Sequence, residues 1–163
     1  MAKIMKRVLS GLLLVMIIFL ATSCKYGAKI VDSGMVFRDG VLNANMTYGA
    51  YYIDEGSEEY LYDESSPKTR TYVLKEETKS QEMFSEFPHV DFKKEMVLVH
   101  FYTDVYSRER KIKSVEVGED KILRIVFKLK SAWGKKDASM PQQKVLVIKM
   151  NKLDINSAEI IKE

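Results

Sequence analysis

Histidine and cysteine, which commonly perform acid–base or nucleophilic chemistry near neutral pH, are scarce in this 163-residue chain. It holds two histidines, His89 and His100, and one cysteine, Cys24. Adjacent acids occur at Glu58-Glu59 and Glu76-Glu77, but such pairs are typical of solvated turns, whereas glycoside hydrolysis needs two carboxyl groups that converge in space. The sequence has no nucleophile elbow, zinc-binding helix, phosphate loop, paired cysteines or dinucleotide-binding glycines. We therefore expect no enzyme activity, no catalytic residue, no cofactor and no bound metal.

Cys24 has the most informative surroundings of these residues. It follows an uncharged, almost wholly apolar run from Val8 to Leu20, which itself follows the cationic start MAKIMKR. A helix of about 13 residues reaches only about 20 Å, which is short of a hydrocarbon core of about 30 Å. These proportions are typical of a secretory signal peptide and not of a membrane-spanning helix. We predict a signal peptide over residues 1–23.

The junction before Cys24 is compatible with two kinds of processing. Ala21-Thr22-Ser23 has the small-x-small form of ordinary secretory cleavage. The segment from Leu20 to Cys24 also resembles the lipobox of bacterial lipoproteins, with Ala21 at the position where leucine is commonest. The lipobox resemblance implies a thioether-linked diacylglycerol on Cys24, and two acyl chains are enough for stable anchoring. We expect a lipoprotein on the extracytoplasmic side of the cell membrane, with plain secretion as the alternative.

The basic balance of the chain comes from its N-terminal segment. The chain has 26 Lys and Arg against 23 Asp and Glu, but three of those cations and none of the acids lie in residues 1–23. The other 140 residues are formally neutral and match the commonest size of a single domain. They lack the basic footprint of a nucleic-acid-binding protein. We expect a lipidated tether at 24–34, one domain over 35–163 and no nucleic-acid partner.

The hydrophobic pattern predicts a β-rich α+β fold. Met96 to Tyr102 is β-branched or aromatic almost throughout, which favours a central strand buried on both faces. Ile112–Val117 and Ile122–Lys130 read as the two arms of a hairpin. Further strands are expected at 35–42, 48–53, 71–74, 144–150 and 155–161. These elements, about seven mostly antiparallel strands, would form a sandwich or an open barrel.

One helix near residues 78–87 is predicted to cover the sheet. The segment Thr78-Lys79-Ser80-Gln81 has the spacing of a capping box, with Thr78 as N-cap. Pro88 disfavours helical geometry at the preceding residue and would end the helix. The apolar residues that share one helical face are Met83, Phe84 and Phe87.

Two polar features have alternative interpretations. His100 shares a strand face with Met96, Leu98 and Tyr102, so we expect a hydrogen-bonded histidine at the core or its rim and not a ligand. The segment 54–66, DEGSEEYLYDESS, carries six carboxylates but lacks the alternating acids around a glycine that define a calcium loop. We interpret it as a solvated acidic loop, with cation binding as the alternative.

The candidate interaction residues lie on two predicted loops. Trp133, Lys135 and Lys136 belong to the segment 131–142, which is too long for a tight hairpin, and long loops often carry function. Arg108 and Arg110 belong to the loop before the hairpin. These five residues are our candidates for contact with a partner. Packing of Trp133 over the end of the core is the alternative.

The second half of the chain resembles the PrcB-type C-terminal domain of exported bacterial proteins. The similarity covers about residues 70–153, including a strand DFKKEMVLV, a hairpin VEVGEDKILRIVFKL and a strand PQQKVLVIKM. The resemblance implies a role beside a surface protease complex, with which the founding member is associated. Residues 106–110 read YSRER where the family has a Thr-Gly-Gly-Tyr turn, and we assign no functional residue from the family to this chain.

We predict from these features a lipid-anchored extracytoplasmic module of the bacterial envelope that acts by binding another protein, with a protease as one candidate. Two alternatives belong to other classes. A lipoprotein that binds a small or polymeric envelope ligand would need a concave pocket with tyrosines and converging polar groups. A hydrolase would need at least two titratable groups that converge in a cleft.

Overall fold

The computed structural model describes residues 26–52, 60–63, 65–105, 109–130 and 142–163. Within these ranges the chain is mostly strand, which confirms the β-rich α+β class. The helices are α1 Val41–Ala44 and α2 Glu77–Met83. The strands are β1 Lys29–Val31, β2 Val36–Phe37, β3 Gly49–Tyr52, β4 Tyr60–Asp63, β5 Thr69–Leu74, β6 Phe84–Glu86, β7 Glu95–Asp104, β8 Arg110–Val117, β9 Ile122–Leu129, β10 Gln142–Asn151 and β11 Ser157–Lys162.

The larger sheet is built around β7 and β10. These two strands pair antiparallel over their whole length, from Glu95 opposite Asn151 to Asp104 opposite Gln142. β5 pairs antiparallel with the other edge of β7. The other edge of β10 carries two strands end to end: β1 is antiparallel to it at residues 147–149, and β3 is parallel to it at Gln142. β4 completes this sheet by pairing with β3.

The smaller sheet has the order β11-β9-β8 and packs against one face of the larger sheet. β8 and β9 form the predicted hairpin, and β11 runs parallel to β9 at the other side. The edges β5 and β11 lie beside each other, whereas the described strands do not close a barrel at β1 and β8. Between the sheets lies the inner core, made by Ala28, Met96, Leu98, Ile112, Val115, Leu123, Ile125, Phe127, Leu146, Ile148, Met150 and Ile155.

A third layer covers the opposite face of the larger sheet. It consists of α2 and the two-stranded ribbon β2–β6, and Phe84 packs on Phe37 with ring centroids 4.6 Å apart. The outer core beneath it contains Leu74, Phe84, Val97, Val99, Phe101 and Val147. Alternate residues of β7 therefore enter different cores, and each fully buried aliphatic or aromatic side chain contributes about 1.5–3 kcal/mol. This arrangement confirms the predicted central strand that is buried on both faces.

The predicted helix at 78–87 is too long and its cap is wrong. α2 begins after Glu76, which has extended geometry and makes no side-chain cap, and it ends at Met83. Gln81 makes its side-chain contact with Glu77 instead of Thr78: its Nε2 atom lies 3.4 Å from Oε1 of Glu77. Phe84 leaves the helix as the start of β6, since pairing with β2 and burial on the outer core outweigh the local helical pattern.

The N-terminal boundaries also differ from the predicted ones. Lys29–Val31, assigned to the tether, forms β1, so the described fold begins before residue 35. The predicted strand 35–42 is strand only at Val36–Phe37, because Gly40 turns the chain with a φ of 78° and α1 follows. Within the predicted acidic loop, Tyr60–Asp63 forms β4, and residues 53–59 and 64 lie outside the described ranges.

Candidate functional site

A polar cluster occupies one end of the inner core. His100, Tyr102 and Asp104 continue the inward-facing alternation of β7 that Met96 and Leu98 begin, so a single strand delivers three polar side chains to this end. Three more polar side chains join them from other strands. They are Thr71 of β5, Arg110 of β8 and Lys162 of β11.

Asp104 and Arg110 form a buried ion pair within this cluster. Their side chains are only 6% and 9% exposed. Lys162 Nζ lies 3.3 Å from both carboxylate oxygens of Asp104, so two cations face one anion. Arg110 Nε also donates to the hydroxyl of Tyr102 at 2.9 Å, and the guanidinium carbon lies 4.2 Å from the centre of that ring. The prediction of Arg110 as a loop residue is therefore wrong: it opens β8, and its charge is neutralised inside the protein.

His100 is a hydrogen-bonded core histidine, as predicted. Its Nδ1 atom lies 2.8 Å from Thr71 Oγ1, and its ring stacks on Tyr102 with centroids 5.4 Å apart. Burial, and to a smaller extent the positive charge of Arg110, lower the pKa of His100 to about 4. Burial also raises the pKa of Tyr102, against the opposing effect of Arg110. Both rings are therefore uncharged near neutral pH.

The two histidines lie on opposite faces of the larger sheet. His100 faces the inner core, whereas the exposed His89 borders a cleft of about 280 Å³ beside α2 on the outer face. Aromatic rings of the outer layer line this cleft together with polar side chains, namely Glu77, Ser80, Gln81 and Ser85 besides His89. The two imidazoles thus do not share a site. Across the described part of the chain, no three His, Cys, Asp or Glu side chains converge in a way that could hold a metal ion.

An open seam separates the edges of the two sheets at β1 and β8. β1 pairs only with β10, and β8 pairs only with β9, among the strands that the structure describes. Residues of both strands line one open cleft of about 450 Å³, which we call the seam cleft. Its residues are Ala28, Lys29, Ile30, Arg110, Lys111, Ile112 and Lys130. Its floor is apolar, because Ala28, Ile30 and Ile112 belong to or pack on the inner core.

The seam cleft continues into a neighbouring cleft of about 360 Å³, which we call the end cleft. The two share Ile30, Arg110 and Lys130. The end cleft reaches the polar cluster through Tyr102, and Asp32, Glu109 and Leu146 complete its lining. Lys130 Nζ and Glu109 Oε2 are 2.5 Å apart at this cleft, and the Lys130 amide donates to the Glu109 carbonyl at 2.8 Å.

The rims of the seam cleft carry cations without an anionic partner among the described residues. Lys29 on β1 and Lys111 on β8 are both exposed, and neither belongs to an ion pair within the described ranges. Lys111 lies directly opposite Lys128 on β9, a like-charge cross-strand pair that is unfavourable. By contrast, the exposed Lys113 on the same strand as Lys111 is paired with Glu163 at 2.5 Å. The seam is therefore an apolar groove with a cation on each side that no anion of the described residues pairs with.

Most of the predicted contact residues fall outside the described ranges. Arg108, Trp133, Lys135 and Lys136 lie there, as does the predicted lipidation site Cys24. Lys29 and Lys111 were not among the candidates. The alternation of β8 places Lys111 on the outer face, but nothing in the local sequence indicates that β8 is an edge or that β1 lies across a gap from it.

Comparisons with known proteins add no family to this description. No family model, no curated protein and no solved structure matches the chain. The resemblance of residues 70–153 to the PrcB-type domain stays a prediction. No helix within the described ranges combines the length and apolar character needed to span a membrane.

Proposed function

We propose that this chain is a lipid-anchored, extracytoplasmic module of the bacterial envelope that binds another protein along the seam between β1 and β8. The observation that carries the proposal is the pair of strand edges that flank the seam cleft and have no neighbour among the described strands. An exposed strand edge presents unsatisfied backbone donors and acceptors and is a template for pairing with another chain. Strand addition to a sheet edge is a recurrent mode of peptide recognition.

The position of the seam along the chain supports a partner close to the membrane. The described fold begins at Tyr26, and Lys29 of the seam is five residues from Cys24. Five extended residues span at most about 18 Å. If Cys24 carries the lipid, the seam lies near the headgroups, within reach of membrane-associated proteins. The resemblance to the PrcB-type domain favours a protease or a protease-associated protein among them.

Site-specific photo-crosslinking in intact cells tests the binding surface. A photoreactive residue at position 111 should yield a covalent adduct with one discrete partner. The matched control is position 79, an exposed lysine on α2 at the opposite face of the larger sheet. Adducts that form from position 79 and not from position 111 would place the interface elsewhere. Incorporation of labelled fatty acid tests the anchor, since Cys24→Ala should abolish it, and equal labelling of the variant would refute lipidation.

A second candidate is the binding of a small envelope ligand in the end cleft. Its volume of about 360 Å³ falls in the range of small-molecule sites, and Tyr102, Arg110 and Lys130 supply converging polar groups. Native mass spectrometry of protein purified from its host should then show a bound small molecule. Lys130→Ala should reduce its occupancy, whereas Lys128→Ala, outside the cleft, should not. Equal occupancy in both variants would remove this candidate.

A further inference from the structure

The seam cleft combines three features that together specify an occupant. Its two sides are strand edges, its floor is apolar, and its rims carry Lys29 and Lys111. On β1, Ile30 faces the inner core while Lys29 is exposed; on β8, Ile112 is buried while Lys111 is exposed. Both edges therefore present the same alternation, with apolar side chains inward and cations outward.

A strand added to either edge would continue this alternation. Side chains of neighbouring strands on one face lie about 4.5–5.5 Å apart at Cβ, so each residue of the added strand meets the residue beside it on the same face. Its inward side chains would meet Ile30 and Ile112, where apolar groups are favoured. Its outward side chains would meet Lys29 and Lys111, which have no anionic partner within the described ranges. Acidic side chains fit those positions because they would neutralise both lysines.

We propose that the seam binds an extended segment of a partner protein in which acidic and apolar residues alternate, and that this segment adds as a strand between β1 and β8. The inference deepens the proposed function and rests on it. The partner's backbone satisfies free donors and acceptors of the two edges, its apolar side chains cover the floor, and its carboxylates pair with the two lysines. The backbone contacts supply affinity and the alternating side chains supply specificity.

A peptide titration tests the chemistry of the occupant. The protein is the full-length chain in detergent, and the probe is a labelled, end-capped peptide of about seven residues with alternating glutamate and valine, close to the usual strand length. Binding followed by fluorescence anisotropy should saturate. A peptide of alternating lysine and valine should not bind. The same Glu/Val peptide with N-methyl groups on alternate amides should also fail, because it cannot donate along one edge.

Charge reversal at the rims localises the site. Lys29→Glu and Lys111→Glu should each weaken binding of the glutamate peptide about five- to tenfold, since each replaces one exposed ion pair by a repulsion. Lys68→Glu is the matched control, because Lys68 is an exposed lysine just before β5, at the edge of the larger sheet away from β1, and does not line the seam cleft. It should change binding less than twofold. Peptide binding should also slow hydrogen exchange at residues 110–112.

Four results would overturn the proposal. Equal affinity for the N-methylated peptide would show that binding is electrostatic without strand addition. Equal losses in Lys111→Glu and Lys68→Glu would contradict the assignment of the seam as the binding site. Binding to phosphatidylglycerol vesicles that the double variant abolishes, with no binding of the peptide, would assign the lysines to lipid. Self-association that Lys111→Glu abolishes would make a second copy the occupant.

Failure of the proposed function gives a different pattern. A crosslinked partner at position 111 together with no peptide binding would support the proposed protein binding and contradict the proposal that the bound segment is an acidic strand. Peptide binding with no crosslinked partner in cells would support the ligand preference proposed for the seam cleft. It would contradict the proposed role of the seam cleft as a protein-binding site in cells. The two experiments therefore report separately on the partner and on its chemistry.

Discussion

His100 and Thr71 lie directly opposite each other on neighbouring strands and are joined by a hydrogen bond of 2.8 Å between Nδ1 and Oγ1. This contact satisfies one ring nitrogen and fixes the ring against Tyr102. Arg110, held by Asp104, contributes a positive charge close by. A neutral imidazole is compatible with that arrangement, whereas an imidazolium would add a further cation to a cluster in which Arg110 and Lys162 already share one carboxylate.

The first prediction is a pH-dependent loss of stability due to His100. Its pKa is lowered from 6.5 to about 4 in the folded protein, so between these values the unfolded chain binds more protons. The contribution of neutral His100 to the free energy of unfolding is fully present above pH 6.5 and is lost as the pH falls towards 4. The loss is on the order of 3 kcal/mol. His100→Asn keeps a polar atom near Nδ1 but does not titrate. Urea unfolding from pH 7.5 to 4 should therefore show a shallower fall for this variant.

The exposed His89 provides the control for that experiment. His89→Asn controls for the replacement of a histidine by asparagine as such, and the difference between wild type and His100→Asn separates the contribution of His100 from that of the carboxylates present in both. A constant stability difference between wild type and His100→Asn across the whole pH range would contradict the prediction.

The second prediction concerns the buried pair of Asp104 and Arg110. Asp104→Ala should lower the free energy of unfolding by about 3–5 kcal/mol, because it leaves the guanidinium buried beside Lys162 without its carboxylate. The double variant Asp104→Leu/Arg110→Met should lose much less than the sum of the losses of Asp104→Leu and Arg110→Met alone. Denaturant unfolding of all variants completes the cycle. Lys113→Ala, which removes an exposed pair, should cost less than about 1 kcal/mol.

The third prediction tests whether residues 29–31 belong to the folded domain. A chain that begins at residue 33 lacks β1, its pairing with β10 and the packing of Ala28 and Ile30 on the inner core. It should unfold at a clearly lower urea concentration than a chain that begins at residue 26. A solvated tether would instead leave the midpoint unchanged. The two chains should be compared by circular dichroism under identical conditions.

The fourth prediction concerns Lys121 in the β8–β9 turn. This residue has a φ of 58°, in the left-handed region that is costly for residues with a Cβ atom. Lys121→Gly should be more stable than Lys121→Ala by about 1 kcal/mol, because both lose the exposed ion pair with Asp154 and only glycine relieves the backbone. Thermal unfolding of the two variants measures the difference. Equal melting temperatures would show that the turn adjusts without cost.

The sequence pattern was sufficient to predict the elements that have a strong hydrophobic periodicity of their own. The alternation of Leu123, Ile125 and Phe127 predicted a half-buried hairpin arm, and the continuous run from Met96 predicted a central strand. Elements stabilised by distant partners were mispredicted. Phe84 continues the apolar face of a helix locally, yet it pairs with β2, more than forty residues earlier. Likewise β1 is too short to be recognised without β10.

The candidate site was less predictable than the fold. His100 was placed correctly because its strand neighbours define its face. The sequence predicts Arg110 as a loop residue that contacts a partner, since nothing in it indicates that β7 and β8 bring Arg110 against Asp104. The seam depends on which strands are edges, and strand order follows from long-range pairing that no local pattern encodes.

The pairing of β1 with β10 has a consequence for the order in which this protein folds. Ile30 pairs with Ile148, more than one hundred residues later in the chain, and β7 pairs with β10. Neither pairing can form before β10 is available. Contacts between such distant residues slow folding, because loop closure precedes the stabilisation that it permits. A chain whose β10 has not yet been synthesised therefore cannot complete the larger sheet. We expect the domain to become protected from proteolysis only after β10 is available for pairing with β1 and β7.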